Sequence, residues 1–209
     1  MTETQVKKIL RIDSSARHSD SVTRQLGDEV IQRLMQANPD AEVVVRKLYE
    51  TIDFLDERWV QANLTDPAER DPSQHEALTA SDLLVRELES ADVILLTVPV
   101  YNFSVPAILK AWIDMICRAR LTFEYTEKGS QGLLKDRPVY LVMASGGIPF
   151  GSAVDFASGY LHHIFGFIGI SDLRPVYAEQ TNVDASASKT AALAMLGKWL
   201  PEDTTPAVA

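Results

Sequence analysis

The strongest pattern in the chain is an almost unbroken apolar run at residues 93–98, where five of six residues are apolar. Such a run is typical of a central parallel strand that helices cover on both faces. Pro99 ends the run, since proline has no N–H to donate to a neighbouring strand. Apolar residues then recur at helical spacing over residues 105–116, which predicts a helix with one buried face. The short loop 99–103 is therefore expected at the carboxyl end of a central strand, where open α/β sheets bind ligands.

Ser104 and Pro106 stand where that helix is expected to begin. A serine hydroxyl can accept a hydrogen bond from the first turn of a helix, which makes serine a common cap. Proline fits the first turn because the N–H that it lacks would have no partner there. The sequence therefore predicts that Ser104 caps the helix and that Pro106 lies in its first turn.

Four more segments have the apolar content of strands, and four have the periodicity of amphipathic helices. The further predicted strands are residues 7–13, 42–48, 138–144 and 172–178. The first helix is expected to begin after the loop 14–23 and to end at Asn38, and the others to span residues 74–90, 152–165 and 185–200. Alternating strands and helices with right-handed crossovers predict an α/β three-layer sandwich. Its five-stranded parallel sheet is expected in the order 2-1-3-4-5, with helices on both faces.

Residues 49–74 and 166–169 interrupt this alternation. The first stretch is a long polar connection, of a kind that is usually functional or mobile. Trp59 within it is predicted to pack rather than to cover a pocket. The second stretch, Gly-Phe-Ile-Gly, is predicted to break the helix before it. The last residues, 201–209, are predicted to be a frayed tail.

Residues 121–127 alternate between apolar and polar side chains, and residues 128–132 contain the glycines of a turn. This pattern predicts a short β excursion from the main sheet. Leu121, Phe123 and Tyr125 are expected on one face of it. That aromatic face needs a cover, which a partner subunit, a ligand or the core of the same chain could supply.

Residues 14–23 form a hydroxyl-rich loop between the first strand and the first helix. Four serines and one threonine lie there, where helix N–H groups have no partner in the helix and the helix dipole is positive. A redundant N-cap with solvated neighbours would use the same residues. The chain has no G-x-G-x-x-G or G-K-[ST] motif, so the loop is neither a dinucleotide fingerprint nor a Walker loop. Its position after a first strand favours a phosphate site.

Three strand ends carry unusual loops, at residues 14–23, 99–103 and 145–147. In the order 2-1-3-4-5 these three strands are neighbours, so their loops would line one crevice. The crevice would have hydroxyls at one end, aromatic residues in the middle and two glycines at the other end. Bare glycine backbone can approach a flat ligand closely, although Gly-Gly taken alone is better explained by a tight turn. Together the three loops suit flavin mononucleotide (FMN).

Composition and charge exclude several other classes of protein. The 209 residues suit a single domain, residues 1–209, and the net charge of −9 argues against a nucleic-acid surface. No apolar run approaches the length of a membrane span, so no membrane insertion is expected. The lone Cys117 excludes an internal disulfide, favours a cytoplasmic location and is expected to pack. His162 and His163 have no carboxylate or cysteine at ligand spacing, so no metal is expected.

Several motifs together resemble those of one known family. They lie at residues 99–114, 122–127, 132–133, 145–147, 160–161 and 165–169. In these stretches, which extend over nearly the whole chain in order, the sequence resembles the FMN-dependent NADH azoreductases, also called FMN-dependent NADH:quinone oxidoreductases. The resemblance implies a flavodoxin-like fold, non-covalent FMN, and NADH or NADPH as the hydride donor. It also implies quinones, azo compounds and nitroaromatics as acceptors, and a homodimer with the flavin near the interface.

The resemblance further implies which residues would hold FMN. The phosphate would be bound by Ser15, Ser21, Val22 and Thr23. The ring and ribityl chain would be bound by Pro99, Val100, Tyr101, Asn102 and Phe103. The pyrimidine edge would be bound by Ala144, Ser145, Gly146 and Gly147.

No side chain is expected to act as a catalytic acid or base, because hydride transfer belongs to the flavin. Phe103, Tyr125 and Phe167 are expected around the open face of the ring. Packing in the core or at a subunit interface would explain each of the three, taken singly, about as well.

Two departures from the family pattern concern this site. Val100 stands where family members commonly have Met, which would reshape the pocket beside the ring. Glu179 and Gln180 stand where they commonly have Glu-Gly, which leaves the role of Glu179 open.

Two other functions fit the same fold and cofactor. A flavodoxin-type electron carrier would pass single electrons to protein partners, and the acidic net charge suits docking through charge. A flavin-binding regulatory module would bind FMN without turnover. Oxidation of NADH by a quinone separates the enzyme from both.

Overall fold

Seven strands occur in the computed structural model, which describes residues 5–17 and 19–202. They are β1 (Lys8–Asp13), β2 (Glu42–Lys47), β3 (Val93–Pro99), β4 (Phe123–Thr126), β5 (Gly129–Gly132), β6 (Val139–Ala144) and β7 (Leu173–Ala178). Five of them form a parallel sheet in the order β2-β1-β3-β6-β7. β4 and β5 pair with each other as an antiparallel hairpin. Since β4 and β5 lie outside the main sheet, the predicted order 2-1-3-4-5 is confirmed.

Helices cover both faces of this sheet. In the described residues they are α1 (Val22–Ala37), α2 (Leu48–Thr51), α3 (Glu57–Leu64), α4 (Pro72–Ser90), α5 (Ala107–Ile116), α6 (Ser158–Ile168) and α7 (Ala185–Trp199). One core cluster joins the sheet to α1 and α7, and a second joins its other face to α4, α5 and α6. The three-layer α/β sandwich is therefore confirmed. Among these described helices, none has the length and apolar content needed to cross a membrane.

The central strand β3 is buried from Val93 to Val98, which confirms the strand predicted to be covered on both faces. Ile94 and Leu96 face the cluster with α4, α5 and α6, whereas Leu95 faces the cluster with α1 and α7. Both clusters therefore depend on this strand. Its carboxyl end holds the loop that leads into α5.

The predicted start of α5 is wrong. Pro106 is the N-cap residue and the helix begins at Ala107, with no side-chain cap. Ser104 instead closes a tight turn, exchanging backbone hydrogen bonds of 3.0 and 3.1 Å with Tyr101. Asn102 and Phe103, at the centre of the turn, have left-handed φ angles of 48° and 72°. The turn uses the backbone of Ser104, and Pro106 disfavours helical geometry in the residue before it, so the helix starts later.

The connection 49–74 is more regular than predicted. It contains α2, α3 and a 3₁₀ turn at Pro67–Glu69. Three aspartates cap α3, the 3₁₀ turn and α4, in that order: Asp56, Asp66 and Asp71. Trp59 is buried against Ala62 and Leu78, so its predicted packing role is confirmed.

α6 begins at Ser158, later than the predicted residue 152, because Asp155 organises the residues before it. The Asp155 carboxylate accepts hydrogen bonds from the N–H groups of Gly151 (2.8 Å), Ala157 (3.0 Å) and Ser158 (3.0 Å). The predicted helix end at residue 165 is also wrong, although the helix does end within the stretch 166–169 that was predicted to break it. The helix runs to Ile168 and ends at Gly169, whose φ of 106° is left-handed.

The hairpin β4–β5 packs against the C-terminal end of α6. Phe123 is buried, and its ring centroid lies 4.4 Å from that of Phe167. Tyr125, in contrast, is 77% exposed and Leu121 is 41% exposed. Phe123 and Tyr125 lie on one face as predicted, with ring centroids 5.6 Å apart. The core of the same chain, one of the covers that the sequence left open, covers Phe123, while Tyr125 stays exposed.

Arg33 holds the chain after α7. Its guanidinium donates to the Leu200 carbonyl at 3.1 Å and pairs with the Glu202 carboxylate at 2.7 Å. The rest of the predicted tail, residues 203–209, lies outside the described residues.

Candidate active site

The start of α1 lies at the carboxyl end of β1 and favours an anion. The N–H groups of Val22 and Thr23 fall in the first helical turn, where the helix itself offers them no acceptor. Ser21 Oγ lies 3.1 Å from Thr23 Oγ1 and accepts a hydrogen bond from the Arg24 N–H at 3.4 Å. Ser15, Ser21 and Thr23 are all buried. N–H groups without an acceptor in the helix, two adjacent hydroxyls and the positive end of the helix dipole together suit a phosphate.

The loop before α1 is held from two sides. The N–H and Oγ of Ser14 both donate to the Thr97 carbonyl of β3, at 3.2 and 2.7 Å. Arg24 Nη2 donates to the Ser15 carbonyl at 2.6 Å, and its guanidinium lies 4.7 Å from the centroid of the Tyr49 ring. Ser14 and Ser15, at the start of the loop, are therefore fixed by contacts within the chain. Arg24 contributes to this arrangement, and sequence reasoning did not single it out.

A cleft of about 460 Å³ extends from this helix start along the carboxyl ends of the strands. Its volume lies within the range of small-molecule sites, about 300–1,000 Å³. Nine of the predicted cofactor residues line it: Ser15, Ser21, Val22, Thr23, Pro99, Val100, Tyr101, Ala144 and Gly146. Five lining residues were not predicted: Arg17, Asp20, Thr181, Asn182 and Ala185. The cleft is referred to below as the cofactor cleft.

Four predicted cofactor residues are not among those that line the cofactor cleft in the described part of the chain. Ser145 is buried, donates its N–H to the Ala178 carbonyl at 3.0 Å and accepts from the Ile148 N–H at 2.7 Å. Ser145 therefore stabilises the conformation of the loop after β6. Asn102 lines a neighbouring cavity, while Phe103 is 52% exposed and Gly147 has open space beside it. Their contact with a cofactor stays a prediction.

The loop after β7 forms the wall that sequence reasoning missed. The Thr181 N–H donates to the Ser145 carbonyl at 3.0 Å, and the Asn182 N–H donates to the Gly146 carbonyl at 3.1 Å. A Cβ on Gly146 would lie only 2.5 Å from Asn182 Nδ2, so glycine is what allows the two loops to meet. The sequence does indicate this wall, because the polar loop follows the carboxyl end of a predicted parallel strand, where ligands bind.

Glu179 anchors a second loop beside the cleft. Its Oε1 accepts a hydrogen bond from the Phe150 N–H at 2.6 Å. The Phe150 ring in turn lies 4.4 Å from the Tyr177 ring on β7. Glu179 thus ties the loop after β6 to the loop after β7, a role that the sequence left open.

The three residues expected around the open ring face are not brought together within one chain. Tyr125 and Phe167 both contact Phe123, at centroid distances of 5.6 and 4.4 Å. Phe103 lies in the turn after β3, and its carbonyl accepts from the Phe156 N–H at 3.1 Å. As far as the described residues go, none of the three predicted aromatic residues lines the cofactor cleft.

Cys117 packs against the core behind α5. Burial, reinforced by the carboxylate of Asp114, raises the pKa of its thiol to about 11. The thiol therefore stays protonated at neutral pH and is a poor nucleophile. The described residues contain no group of three or more His, Cys, Asp or Glu side chains that could hold a metal ion.

Comparisons with known proteins show the family of the chain. A family model described as a flavodoxin-like fold matches residues 7–200. Over 179 residues the chain is 46% identical to FMN-dependent NADH:quinone oxidoreductase 1 of Hahella chejuensis, covering 86% of this chain and 88% of that relative. The chain belongs to this flavodoxin-like oxidoreductase family. Identity to a second member, FMN-dependent NADH:quinone oxidoreductase 1 of Jannaschia sp., is 47% over 184 residues, or 88% of this chain and 94% of that relative.

Solved structures place this oxidoreductase family member beside azoreductases. One is the FMN-dependent NADH-azoreductase from Bacillus anthracis in complex with FMN, with a TM-score of 0.83 and 27% identity. The similarity covers 93% of this chain and 97% of that one. Another azoreductase from Bacillus anthracis has a TM-score of 0.82 and 25% identity, covering 92% of this chain and 96% of that one.

Proposed function

We propose that the chain is an FMN-dependent NADH:quinone oxidoreductase that also cleaves azo compounds reductively and accepts nitroaromatics. The observation that carries this proposal is the cofactor cleft, which is lined by the anion-favouring start of α1 and by the loop that contains Gly146. It accompanies 46% identity to a relative with that named activity. Its volume of about 460 Å³ and its single phosphate cradle suit FMN, and no G-x-G-x-x-G motif is present for a pyrophosphate.

The residues of the cleft would bind and orient the cofactor. Ser15, Ser21 and Thr23 offer hydroxyls to the phosphate, and the N–H groups of the first α1 turn add fixed dipoles. Val100 and Gly146 would flank the ring from the ends of β3 and β6. Bound FMN supplies the hydride chemistry, taking a hydride from NADH or NADPH and passing one to the acceptor. The chain's task is therefore to hold the ring, expose one face and present N–H donors where negative charge develops.

Ping-pong kinetics are expected, because the hydride donor and the acceptor must use the same open face in turn. Double-reciprocal plots of NADH oxidation at several fixed quinone concentrations should be parallel. Running the series with NADPH, and with quinone, azo and nitroaromatic acceptors, ranks the substrates. Intersecting lines would mean that donor and acceptor bind together, and no turnover with any acceptor would instead support an electron carrier or a regulatory module.

The same proposal includes a two-fold homodimer in the cytoplasm, with the flavin near the interface. Tyr125, in the hairpin, and Leu121, just before it, are large and exposed, and an uncovered apolar patch is a liability in a monomer. Two-fold dimers are the commonest closed assemblies. The lone thiol, with no cysteine to pair with, suits a reducing compartment.

Tyr125→Asp is expected to weaken the dimer, because a carboxylate buried at an interface without a partner costs several kcal/mol. Tyr125 is a cleaner probe than Phe123, since Phe123 is buried in its own chain. Sedimentation equilibrium with and without FMN measures both assembly and its link to the cofactor. Tyr125→Phe, which keeps the ring, should dimerise normally. A wild type that remains monomeric at micromolar concentration would refute the assembly.

A further inference from the structure

A second cavity, of about 670 Å³, lies beside the cofactor cleft and shares Tyr101 with it. It is called the outer cavity here. Its walls include the rings of Tyr101, Phe156 and Tyr160, and Val105 and Pro106 add apolar surface. A cavity with several aromatic walls suits a flat aromatic molecule. Because the two cavities meet at Tyr101, such a molecule would lie next to whatever occupies the cleft.

The backbone of Phe156 is fixed by hydrogen bonds, while the residue itself is 61% exposed. Its N–H donates to the Phe103 carbonyl at 3.1 Å, and the neighbouring Asp155 carboxylate accepts three backbone N–H groups. Burial raises the pKa of Tyr160 to about 12, so its phenol remains a hydrogen-bond donor at neutral pH. The outer cavity thus has aromatic walls and two phenol groups, those of Tyr101 and Tyr160.

Lys110 is the only charged residue among the described residues that line the outer cavity. Its Nζ lies 2.5 Å from Asp114 Oδ1, and both side chains are partly exposed. An exposed i,i+4 pair of this kind contributes little stability and can exchange partners easily. An ammonium group also has three donors, so Asp114 does not exhaust them. In a chain of net charge −9, this ammonium group is the feature of the outer cavity that attracts an anion.

We propose that Lys110 makes the outer cavity select aromatic acceptors that carry an anionic substituent, such as a sulfonate or a carboxylate. This inference rests on the proposed function. The reducible ring of the acceptor would point past Tyr101 to the cofactor cleft, and its anionic group would bind the Lys110 ammonium. Lys110 is then a residue that determines specificity and takes no part in hydride transfer.

The test compares naphthoquinone with naphthoquinone sulfonate in the FMN-loaded protein. Lys110→Met is expected to shift the ratio of kcat/KM between the two acceptors about tenfold against the sulfonate, the size of one half-exposed charge-assisted contact. Lys110→Arg should keep the wild-type preference. Asp114→Asn is the matched control, because it breaks the same ion pair while it leaves the cation; it should favour the sulfonate more than the wild type does.

Direct binding separates this inference from the proposed function. Calorimetric titration of naphthalene sulfonate and uncharged naphthalene sulfonamide needs no turnover. Weaker binding of the sulfonate alone in Lys110→Met supports the inference, even if the wild type reduces no quinone and the proposed function fails. Equal effects on both acceptors or both naphthalenes, or an Asp114→Asn variant that behaves like Lys110→Met, would overturn it.

Discussion

Thr23→Asp is expected to reduce the affinity for FMN by roughly a hundredfold or more. The side chain of Thr23 is 1% exposed and lines the cofactor cleft at the first turn of α1. A carboxylate there would lie against the proposed phosphate, and two like charges at about 4 Å repel by about 4 kcal/mol at an effective dielectric constant of 20. An acidic residue in a first helical turn interacts favourably with the helix dipole, which offsets part of the cost of burying the carboxylate, and circular dichroism of the apoprotein checks that the fold is kept.

Titration of the apoprotein with FMN, followed by quenching of flavin fluorescence, measures this effect. Thr23→Val is the control, because it keeps the shape and removes only the hydroxyl. Its expected loss is about tenfold, the value of one hydrogen bond to a charged group. Wild-type affinity in Thr23→Asp would show that the phosphate does not bind at the start of α1.

Gly132→Ala is expected to lower the free energy of unfolding by roughly 3 kcal/mol, since overfilling a packed site costs about 1–3 kcal/mol or more. An added Cβ would lie 2.1 Å from the Gly169 nitrogen and 2.4 Å from the Ile168 carbonyl carbon. Both atoms belong to backbone, which cannot rotate away as a side chain can. The hairpin β4–β5 would have to move off the end of α6, and the Phe123–Phe167 contact would be lost with it.

Thermal unfolding measures this loss, which corresponds to a fall in Tm of about 6–12 °C for a chain of this length. Gly166→Ala is the matched control, because its Cβ would meet nothing within 4 Å on the exposed side of α6. That variant should be as stable as the wild type or up to about 1 kcal/mol more stable, since alanine favours helix. A Gly132→Ala variant as stable as the Gly166→Ala variant would contradict the described packing of the hairpin.

The sheet could be predicted because the pattern that marks each strand lies within a short stretch of sequence. The run from Val93 to Val98 required a strand buried on both faces, and the alternation of strands with helices allowed few parallel orders. The cofactor cleft followed from the same rule, since three of its loops lie at the carboxyl ends of neighbouring strands. Asn182 belongs to a fourth loop of this kind, and the rule would have found it too.

Contacts between distant segments could not be read from the pattern. Ser104 resembled a helix cap, but its backbone exchange with Tyr101 decided the local geometry. Phe123 and Tyr125 are two residues apart on β4 and lie on one face, as their spacing predicts. The approach of Gly132 to α6 nevertheless buries Phe123 and leaves Tyr125 exposed. Burial and local geometry of this kind depend on which elements pack against each other, and the periodicity of a single segment does not determine that.

Anaerobic titration of the purified protein with NADH tests the proposed function most directly. The account predicts a yellow protein whose extracted flavin is FMN, whose flavin absorbance NADH bleaches without any acceptor, and whose colour one equivalent of benzoquinone restores. Each half-reaction is then seen separately on the same cofactor. Recovery of FAD, no flavin even after reconstitution with FMN, or a flavin that NADH and NADPH leave oxidised would contradict it.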